Sequence, residues 1–235
     1  MDPLLISAAS GMKARMESLD MLANNIANTG TVAFKTDKEF YGLYEQQLPL
    51  IQRPWTDFSQ GTLTPTGNSL DLALSGQGFF ALNSPNGIIY TRNGQFRISK
   101  SNELQSADGY TLRDVLNNGQ PIAVDPTQSI EVDKDGTVLQ GGQTLGQIEI
   151  SGIDNPAQAL SKLGSSYFAY STQPVQTTPI PDTEIDQGTL EQSNVPVSDA
   201  AVRLISIMRQ FEMLQKAMSV GAEMDKQAVE EVAKV

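Results

Sequence analysis

The sequence of 235 residues contains neither cysteine nor histidine. Without cysteine there are no disulfide bonds, thiolate nucleophiles or thiolate metal ligands. Without histidine the chain lacks the side chain that most often moves protons near neutral pH, and a serine–histidine–aspartate triad cannot form. An enzyme built from this sequence would therefore depend on carboxylates, lysine, tyrosine or serine alone.

Charged residues are scarce, at 18% of the sequence, and the net charge is −11. Residues 59–191 contain 6 basic and 14 acidic side chains and so carry −8, whereas residues 1–58 carry −2 and residues 192–235 carry −1. A nucleic-acid partner requires clustered lysine and arginine to displace counterions, and no such cluster occurs. We therefore expect no nucleic-acid partner.

Long apolar runs are missing as well. Lys13, Arg15, Glu17 and Asp20 interrupt the one N-terminal stretch that could be considered as a membrane span, which needs about 20 apolar residues. The N-terminus opens with the acidic Asp2 and has no apolar segment followed by a small-residue cleavage site. We expect a chain that is not inserted in a membrane and has no cleaved secretion signal, and export by another route stays open.

The N-terminal segment has the pattern of one amphipathic helix, predicted over residues 3–29. Pro3 suits the first helical position because its missing N–H has no partner there in any case, and Asp2 is placed to cap the first turn. Gly30 follows the last helical residue as a stop signal. An apolar seam runs along this helix at heptad spacing, formed by Leu5, Met12, Leu19 and Ile26, with Ala9, Met16 and Ala23 between them.

The C-terminal segment repeats this pattern over about residues 198–231. Its seam consists of residues seven apart, Val197, Leu204, Phe211 and Met218, with Met208 beside them. Two such seams are expected to pair with each other, to be buried between subunits, or both. The predicted fold class is α+β, in which long N- and C-terminal helices pair as a coiled-coil-like inner domain and a central antiparallel β-rich domain projects from them.

The middle of the chain is predicted to be strand and turn. Asn-Gly and Asp-Gly pairs separate short alternating apolar runs between residues 86 and 136, which favours antiparallel hairpins. A short helix is expected from Pro156 to Leu163. The predicted domains are residues 1–30 with 192–235 as the helical inner domain, 31–58 as an irregular arm with a short helix at Asp37–Tyr44, 59–172 as the β-rich outer domain, and 173–191 as an extended connector.

Two motifs that carry chemistry elsewhere are interpreted here as structural. Gly76-Gln77-Gly78 begins like a dinucleotide-binding loop, but the residues after it have the pattern of a strand, whereas a dinucleotide site needs a helix there. Asp133-Lys134-Asp135-Gly136 begins like a calcium loop but lacks the later ligands, including the bidentate glutamate, so a β-turn is predicted. We predict no enzyme activity, no cofactor, no metal and no small-molecule substrate.

Three stretches resemble the flagellar rod and hook protein family. NNIANTGTVAFK, residues 24–35, resembles its signature at the end of the first helix, with Ala33 where the family usually has glycine. SLDLALSGQGFFAL, residues 69–82, and YTRNGQFRISKSNELQSADGYTL, residues 90–112, resemble its central β signature. GTLEQSNVPVSDAAVRLISIMRQFEMLQKAM, residues 188–218, resembles its C-terminal one.

This resemblance implies a structural subunit of the flagellar basal-body rod. In that family the terminal helices pack helically with neighbouring copies and other rod proteins around a central export channel, and the β domain lies outside. The resemblance further implies type III export of the unfolded chain and a location outside the cytoplasmic membrane, periplasmic in a two-membrane cell. The predicted subunit-packing residues are Leu5, Met12, Leu19, Asn24, Asn25, Ile26, Asn28, Phe34, Leu204, Met208, Phe211 and Met218.

The three asparagines among these residues are expected to fix the end of the first helix through side-chain to backbone hydrogen bonds. The ending RQFEMLQKAM is similar to the proximal-rod form more than to the distal-rod form, and both stay open. Two alternatives come from other classes of protein. One is an exported coiled-coil scaffold unrelated to flagella, and the other is a hydrolase whose two carboxylates share a closed pocket.

Overall fold

The computed structural model describes residues 3–43, 49–164, 166–170 and 183–232, with the backbone alone at 3–7, 40–43, 49–53, 225 and 228–232. The chain forms two compact units. The helical unit consists of Met1–Ala27, Asp37–Thr56 and Pro196–Val235, and the β unit consists of Asn28–Thr36 and Asp57–Val195. The cap predicted at Asp2 and residues 173–182 of the predicted connector lie outside the described residues.

The described residues form three helices, α1 (Pro3–Ala27), α2 (Pro156–Ala159) and α3 (Val197–Val232). They also form seventeen strands: β1 (Asp37–Leu43), β2 (Pro49–Thr56), β3 (Leu63–Pro65), β4 (Leu72–Ser75), β5 (Phe79–Ser84), β6 (Gly87–Thr91), β7 (Phe96–Ile98), β8 (Leu104–Ser106), β9 (Thr111–Leu112), β10 (Glu131–Val132), β11 (Thr137–Gln140), β12 (Gln143–Gln147), β13 (Ile150–Ser151), β14 (Leu160–Leu163), β15 (Tyr167–Tyr170), β16 (Glu184–Gln187) and β17 (Thr189–Glu191). The strands of the described ladders pair antiparallel, so the α+β class is confirmed.

In the helical unit, α1 and α3 are close to their predicted lengths, at 25 and 36 residues, and they contact each other. Gly11 lies opposite Leu214, whereas Ser18 and Leu22 share a small cavity with Ile207, so the two helices run antiparallel. No helix among the described residues has an apolar stretch long enough to cross a bilayer.

The helical unit also contains a hairpin of β1 and β2, with an irregular register between Lys38 and Phe40. The short helix predicted at Asp37–Tyr44 is therefore wrong, and the arm predicted to be irregular contains this hairpin. Aromatic residues in both strands and β-branched residues in β2 favour extended pairing, and local helical periodicity could not reveal the partner strand. The Lys38 ammonium lies 5.4 Å from the centre of the Trp55 ring, and Thr56 donates a 2.7 Å hydrogen bond to Asp37.

The β unit is built on an eight-stranded sheet with the order β14-β15-β6-β5-β9-β8-β7, in which β13 also pairs with β5. The other ladders of this unit are β10-β11-β12, β16-β4 and β17-β3. Buried aliphatic residues from these ladders form the main core, and Phe58, Phe79 and Phe168 form an edge-to-face aromatic group with ring centres 4.9–5.9 Å apart. Aromatic pairs in this geometry add to the free energy gained by burial.

Two predicted elements of this unit need correction. The helix expected from Pro156 to Leu163 stops after one turn at Ala159, and Leu160–Leu163 becomes β14 because it pairs with Tyr167–Tyr170 in the sheet. The segment predicted as an extended connector contains β16 and β17, which pair with β4 and β3 and so belong to the β unit. These two strands are too short to show an alternating apolar pattern, so their pairing with strands distant in sequence decides their conformation.

Both motifs interpreted as structural take the conformation expected of them. Gly76-Gln77-Gly78 leads into strand β5 and not into a helix. At the calcium-like sequence, the Gly136 N–H donates to the Asp133 carbonyl at 2.9 Å, which closes a turn between β10 and β11. No group of three acidic, histidine or cysteine side chains among the described residues is arranged to hold a metal ion.

Ala33, the residue that departs from the family pattern, has a φ of +54° and is fully buried. This left-handed conformation costs an L-residue about 1–2 kcal/mol, and glycine avoids that cost. The glycine usual in the family is therefore explained by the backbone at this position.

Replacing Ala33 by glycine should leave the free energy of unfolding nearly unchanged, because relief of the left-handed strain offsets the lost methyl group and the added chain entropy. The matched control is Ala81→Gly, at a fully buried alanine in β5. It should cost about 1.5 kcal/mol, since there the losses of burial and entropy have no offset. Equal destabilisation of the two variants in urea unfolding would contradict this explanation.

Alkaline pH should destabilise the β unit. Burial raises the pKa of Tyr90 to about 12, and burial with a hydrogen bond to Asp108 raises the pKa of Tyr167 to about 12. Each neutral phenol is favoured in the folded state, so its contribution is complete below the ordinary tyrosine pKa near 10 and is lost as the pH rises toward 12. Thermal unfolding from pH 9 to 12 should show this decline, and Tyr90→Phe should make it shallower. An unchanged slope would exclude Tyr90 as a contributor.

Candidate assembly site

The covered side of α3 follows a heptad pattern. Ala200 and Ile207 are buried, and the half-buried residues between and beyond them continue the spacing of four and three. This side consists of Ala200, Leu204, Ile207, Phe211, Leu214 and Met218. The structure thus places three predicted packing residues, Leu204, Phe211 and Met218, on the side of α3 that is covered within the chain.

The uncovered side of α3 also carries large apolar residues. Val202, Met213 and Met224 are spaced eleven residues apart, which is three helical turns, and Val220 lies on the same line. Between 52% and 69% of each side chain is exposed. We call these four residues the outer stripe. The predicted packing residue Met208 is 49% exposed and lies outside the stripe, nearer to the covered side of the helix. Exposed apolar surface of this extent usually marks a contact with another molecule.

The covered side of α1 differs from the predicted seam by about one position. Its buried residues are mostly small, namely Ala8, Gly11, Ala14, Ser18, Leu22 and Asn25. A Cβ atom added at Gly11 would lie 3.4 Å from Leu214, so small residues here allow a close approach of the helices. Hydrophobicity alone does not reveal this line, because its residues are mostly small.

The residues of the predicted α1 seam remain partly or largely exposed. Met12, Leu19 and Ile26 are half-buried, Met16 is 52% exposed, and Ala9 and Ala23 are exposed. The side chain of Leu5 lies outside the described set. We call the six described residues, Ala9, Met12, Met16, Leu19, Ala23 and Ile26, the outer seam. It keeps heptad spacing, so α1 presents a second apolar line beside its covered one.

The three predicted asparagines occupy different environments. Asn25 is buried, donates from Nδ2 to the Asp37 carbonyl at 2.8 Å, and accepts from the Asp37 N–H at 3.0 Å, so its amide pairs with the backbone as a neighbouring strand would. Asn28 accepts a 3.0 Å hydrogen bond from the Thr31 hydroxyl. Asn24 is exposed. For Asn25 the predicted side-chain to backbone bonds are present.

Phe34 is 1% exposed within the β unit, and the Lys162 ammonium lies 4.0 Å from the centre of its ring. Because nearly all of its surface is covered by its own chain, Phe34 has almost none to offer a neighbouring subunit. We therefore remove Phe34 from the set of packing residues and assign it to the core of the β unit.

Next to Phe34 lies a buried ion cluster formed by Lys35, Arg92 and Glu191. The side chains of Lys35 and Glu191 have no exposed surface, and Arg92 is 5% exposed. Glu191 Oε1 accepts from Lys35 Nζ at 2.5 Å, and Glu191 Oε2 accepts from Arg92 Nη1 at 3.4 Å. Burial lowers the pKa of the Lys35 ammonium and of the Arg92 guanidinium, while Glu191 opposes both shifts. Loss of this carboxylate would leave two buried cations without it.

Further hydrogen bonds fix each member of the ion cluster. Lys35 Nζ donates to the Ser59 carbonyl at 2.7 Å, and Arg92 Nη2 donates to the Gly76 carbonyl at 2.6 Å. Glu191 Oε1 also accepts from the Gly61 N–H at 2.8 Å. A side chain at Gly61 would collide with the Gln192 carbonyl, so glycine is required for this approach.

Asn194 joins the same chain segments three residues later. Its Oδ1 accepts from the Thr36 N–H at 2.8 Å, and its Nδ2 donates to the Asp57 carbonyl at 2.8 Å and to the Ser59 carbonyl at 3.0 Å. Thr36, Asp57 and Val195 are the residues at which the β unit borders the other segments of the chain. Asn194 therefore ties together the segments that enter and leave this unit.

Sequence reasoning missed the functional importance of Arg92, Glu191 and Asn194. Glu191 falls in the predicted extended connector, and no local sequence pattern distinguishes it from a solvent-exposed glutamate. Lys35 ends the stretch 24–35 that resembles the family signature, and that resemblance predicts no role for it. Lys35, Arg92, Glu191 and Asn194 all lie in the stretches that resemble the family signatures, and this was the available indication of their importance.

The β unit also contains an open cavity of about 570 Å³ beside Arg92, lined by Phe58, Gln60, Gln77, Phe79, Asp154 and neighbouring residues. Asp154 is the single acidic residue among the described lining residues. A hydrolase that runs on two carboxylates would need a second one in the same pocket. This cavity does not support the hydrolase alternative.

Three protein-family models match the chain. They are described as flagella basal body rod protein over residues 5–35, flagellar hook protein FlgE/F/G D1 domain over residues 73–140, and flagellar basal body rod FlgEFG protein C-terminal over residues 186–231. The matches thus cover α1 and the residues after it, the centre of the β unit, and most of α3.

Full-length relatives agree with these matches. The chain is 32% identical to the flagellar basal-body rod protein FlgF of Caulobacter vibrioides over the whole of both chains. It is 31% identical to FlgF of Mesorhizobium japonicum over 97% of both chains. It is also 31% identical to the flagellar basal-body rod protein FlgG of Borreliella burgdorferi, over 94% of this chain and 95% of the relative.

Removal of the Asn25 amide should loosen the helical unit. Asn25→Ala leaves the Asp37 N–H and carbonyl without their partner and should lower the free energy of unfolding by about 2 kcal/mol. Glu17→Ala, at an exposed residue of the same helix, should change it by less than about 0.5 kcal/mol. Thermal unfolding followed by circular dichroism at the helical band compares them. Equal values for the two variants would contradict the role of Asn25.

Proposed function

The chain belongs to the family of flagellar basal-body rod proteins and is a structural subunit of the flagellar basal body, and we propose that it assembles helically into the torque-transmitting shaft around the export channel. Its partners in this proposal are other copies of itself and other rod proteins. The observation that carries the proposal is the pair of apolar lines, the outer stripe and the outer seam, that remain exposed after α1 and α3 have packed on each other.

These lines favour an open assembly. The outer stripe lies on α3 and the outer seam on α1, so a contact of one with the other joins different surfaces of two copies. Such head-to-tail contacts propagate as helical filaments when the rotation does not close a ring. Heptad spacing on the outer seam suits a helix as the occupant, as in a coiled coil.

The distribution of charge supports the same arrangement. Residues 59–191 carry −8, while the terminal segments carry −2 and −1. Near-neutral helices can pack closely against copies of themselves, whereas a strongly acidic domain repels its copies and favours an outer, solvated position. We therefore propose residues 1–30 with 192–235 as the inner domain and residues 59–172 as the outer domain.

Export by the flagellar type III apparatus completes the proposal. The sequence has no cysteine, which suits a chain that leaves the cytoplasm unfolded. The subunit would then reside outside the cytoplasmic membrane, in the periplasm of a two-membrane cell.

Within the rod we propose the proximal position, because the ending RQFEMLQKAM is similar to the proximal-rod form. The alternative is the distal-rod paralogue, since relatives named FlgF and FlgG both match along nearly the whole chain. A density map of purified basal bodies from a strain carrying a tagged copy distinguishes them. Extra density at the cytoplasmic end of the rod supports the proximal position, and density near the hook contradicts it.

A charge in the outer stripe should abolish assembly without unfolding the subunit. Met213→Asp places a carboxylate in an interface repeated at every copy, where burial of an unpaired charge is costly. Because Met213 is 64% exposed, the thermal midpoint of the isolated subunit should change by less than a few degrees. Electron microscopy should show at least tenfold fewer completed hook–basal bodies, with loss of swimming.

The matched control is Gln215→Asp, which adds the same charge at an exposed residue of α3 outside the outer stripe. It should assemble and swim as the parent strain does. Normal assembly of the Met213→Asp strain would exclude the outer stripe as an interface. A deletion strain that swims normally would instead favour the exported, non-flagellar scaffold.

A further inference from the structure

The segment 189–194 is held in the β unit by contacts with residues distant in sequence. Strand β17 pairs with β3, the Ala33 N–H donates to the Glu191 carbonyl at 2.8 Å, and the Gln192 N–H donates to the Thr62 carbonyl at 2.8 Å. The pair of Lys35 and Glu191 spans 156 residues of sequence. Closing so long a loop costs entropy that nearby contacts must first offset, so such contacts form late in folding.

We propose that residues 189–194 act as a closing strap that completes the β unit last, and that Glu191 is its latch. The eight-stranded sheet can form from strands within residues 79–170 before the strap docks, because none of its strands pairs with β17. Until Glu191 arrives, Lys35 and Arg92 lack the carboxylate that accompanies their burial, so the segments that contain them stay open to solvent. When the strap docks, Glu191 and Asn194 fix residues 33–36 and 57–61 in one step.

This device concerns the folding of one chain and does not rest on its assembly into a rod. If another contact keeps residues 189–194 away from the β unit, the strap cannot dock and the β unit stays incomplete. When these residues are released, the strap docks and the β unit closes. The physical basis is that one segment carries both the carboxylate for two buried cations and the amide that joins Thr36, Asp57 and Ser59.

Native-state hydrogen exchange of the full chain tests the strap. Among the amides that depend on it for their hydrogen bonds, four are followed here, those of Ala33, Thr36, Gly61 and Gln192. They should exchange at one common opening equilibrium, at least tenfold more often than the Ala81 amide, which bonds to Glu149 in the sheet. Four unrelated exchange rates, or rates equal to that of Ala81, would overturn the proposal.

Glu191→Gln should increase the opening of these four amides by about a hundredfold or more, because it removes the carboxylate that the two buried cations share. The matched control is Glu184→Gln, which removes the carboxylate from an exposed pair with Lys134 in the neighbouring strand β16. It should change the same opening by less than about fivefold. An effect of the same size in the control would show that Glu191 is not a latch.

Folding kinetics give an independent readout. If the strap docks after the rate-limiting step, Glu191→Gln should raise the unfolding rate by nearly its full effect on stability and leave the refolding rate within about twofold of the parent. A refolding rate reduced by the full factor would place Glu191 in the folding nucleus and overturn late closure.

Asn194→Ala covers the case in which Glu191→Gln does not fold. It removes the other anchor of the strap without leaving a charge buried. The same four amides should then open about tenfold more often, with little change at Ala81. Acceleration confined to Thr36, whose partner is deleted, would show that the strap does not open as one segment and would contradict the proposal.

Discussion

Two buried cations, Lys35 and Arg92, share one buried carboxylate, and the arrangement of the β unit depends on it. Glu191 brings together the segment that follows α1, the loop before β3, the strand β17 and the residue that follows β6. Because a buried charge without its partner costs several kcal/mol, these segments cannot separate one at a time without a large loss of stability.

In the helical unit, each long helix has one side that packs within the chain and another apolar side that stays exposed. On α1, small residues such as Gly11 form the covered side and allow α3 to approach, while the larger Met12 and Leu19 stay near the surface. On α3, the covered heptad and the outer stripe lie on opposite sides. A helix with two apolar lines is poorly suited to a solitary molecule, and a multi-subunit shaft is an environment in which both lines become buried.

Much of the fold could be predicted because its signals are local. Heptad spacing and Pro3 indicated both long helices, and the Asn-Gly and Asp-Gly pairs indicated an antiparallel, hairpin-rich centre. The hairpin of β1 and β2, and the strands β14, β16 and β17, could not be predicted in this way. Each takes its conformation from a partner strand distant in the sequence or across an intervening segment, and propensity is too weak to indicate that partner.

The sequence by itself determined which side chains this protein lacks and which family it resembles. The absence of cysteine and histidine, the amphipathic terminal segments and the family signatures are properties of composition and spacing, which need no coordinates. Tertiary structure alone decided that Phe34 is core, that Ala33 is left-handed, that Glu191 is a buried ion partner, and which line of α1 is covered. Burial, backbone strain and ion pairing depend on residues brought together from distant parts of the chain, and sequence spacing does not encode those distances.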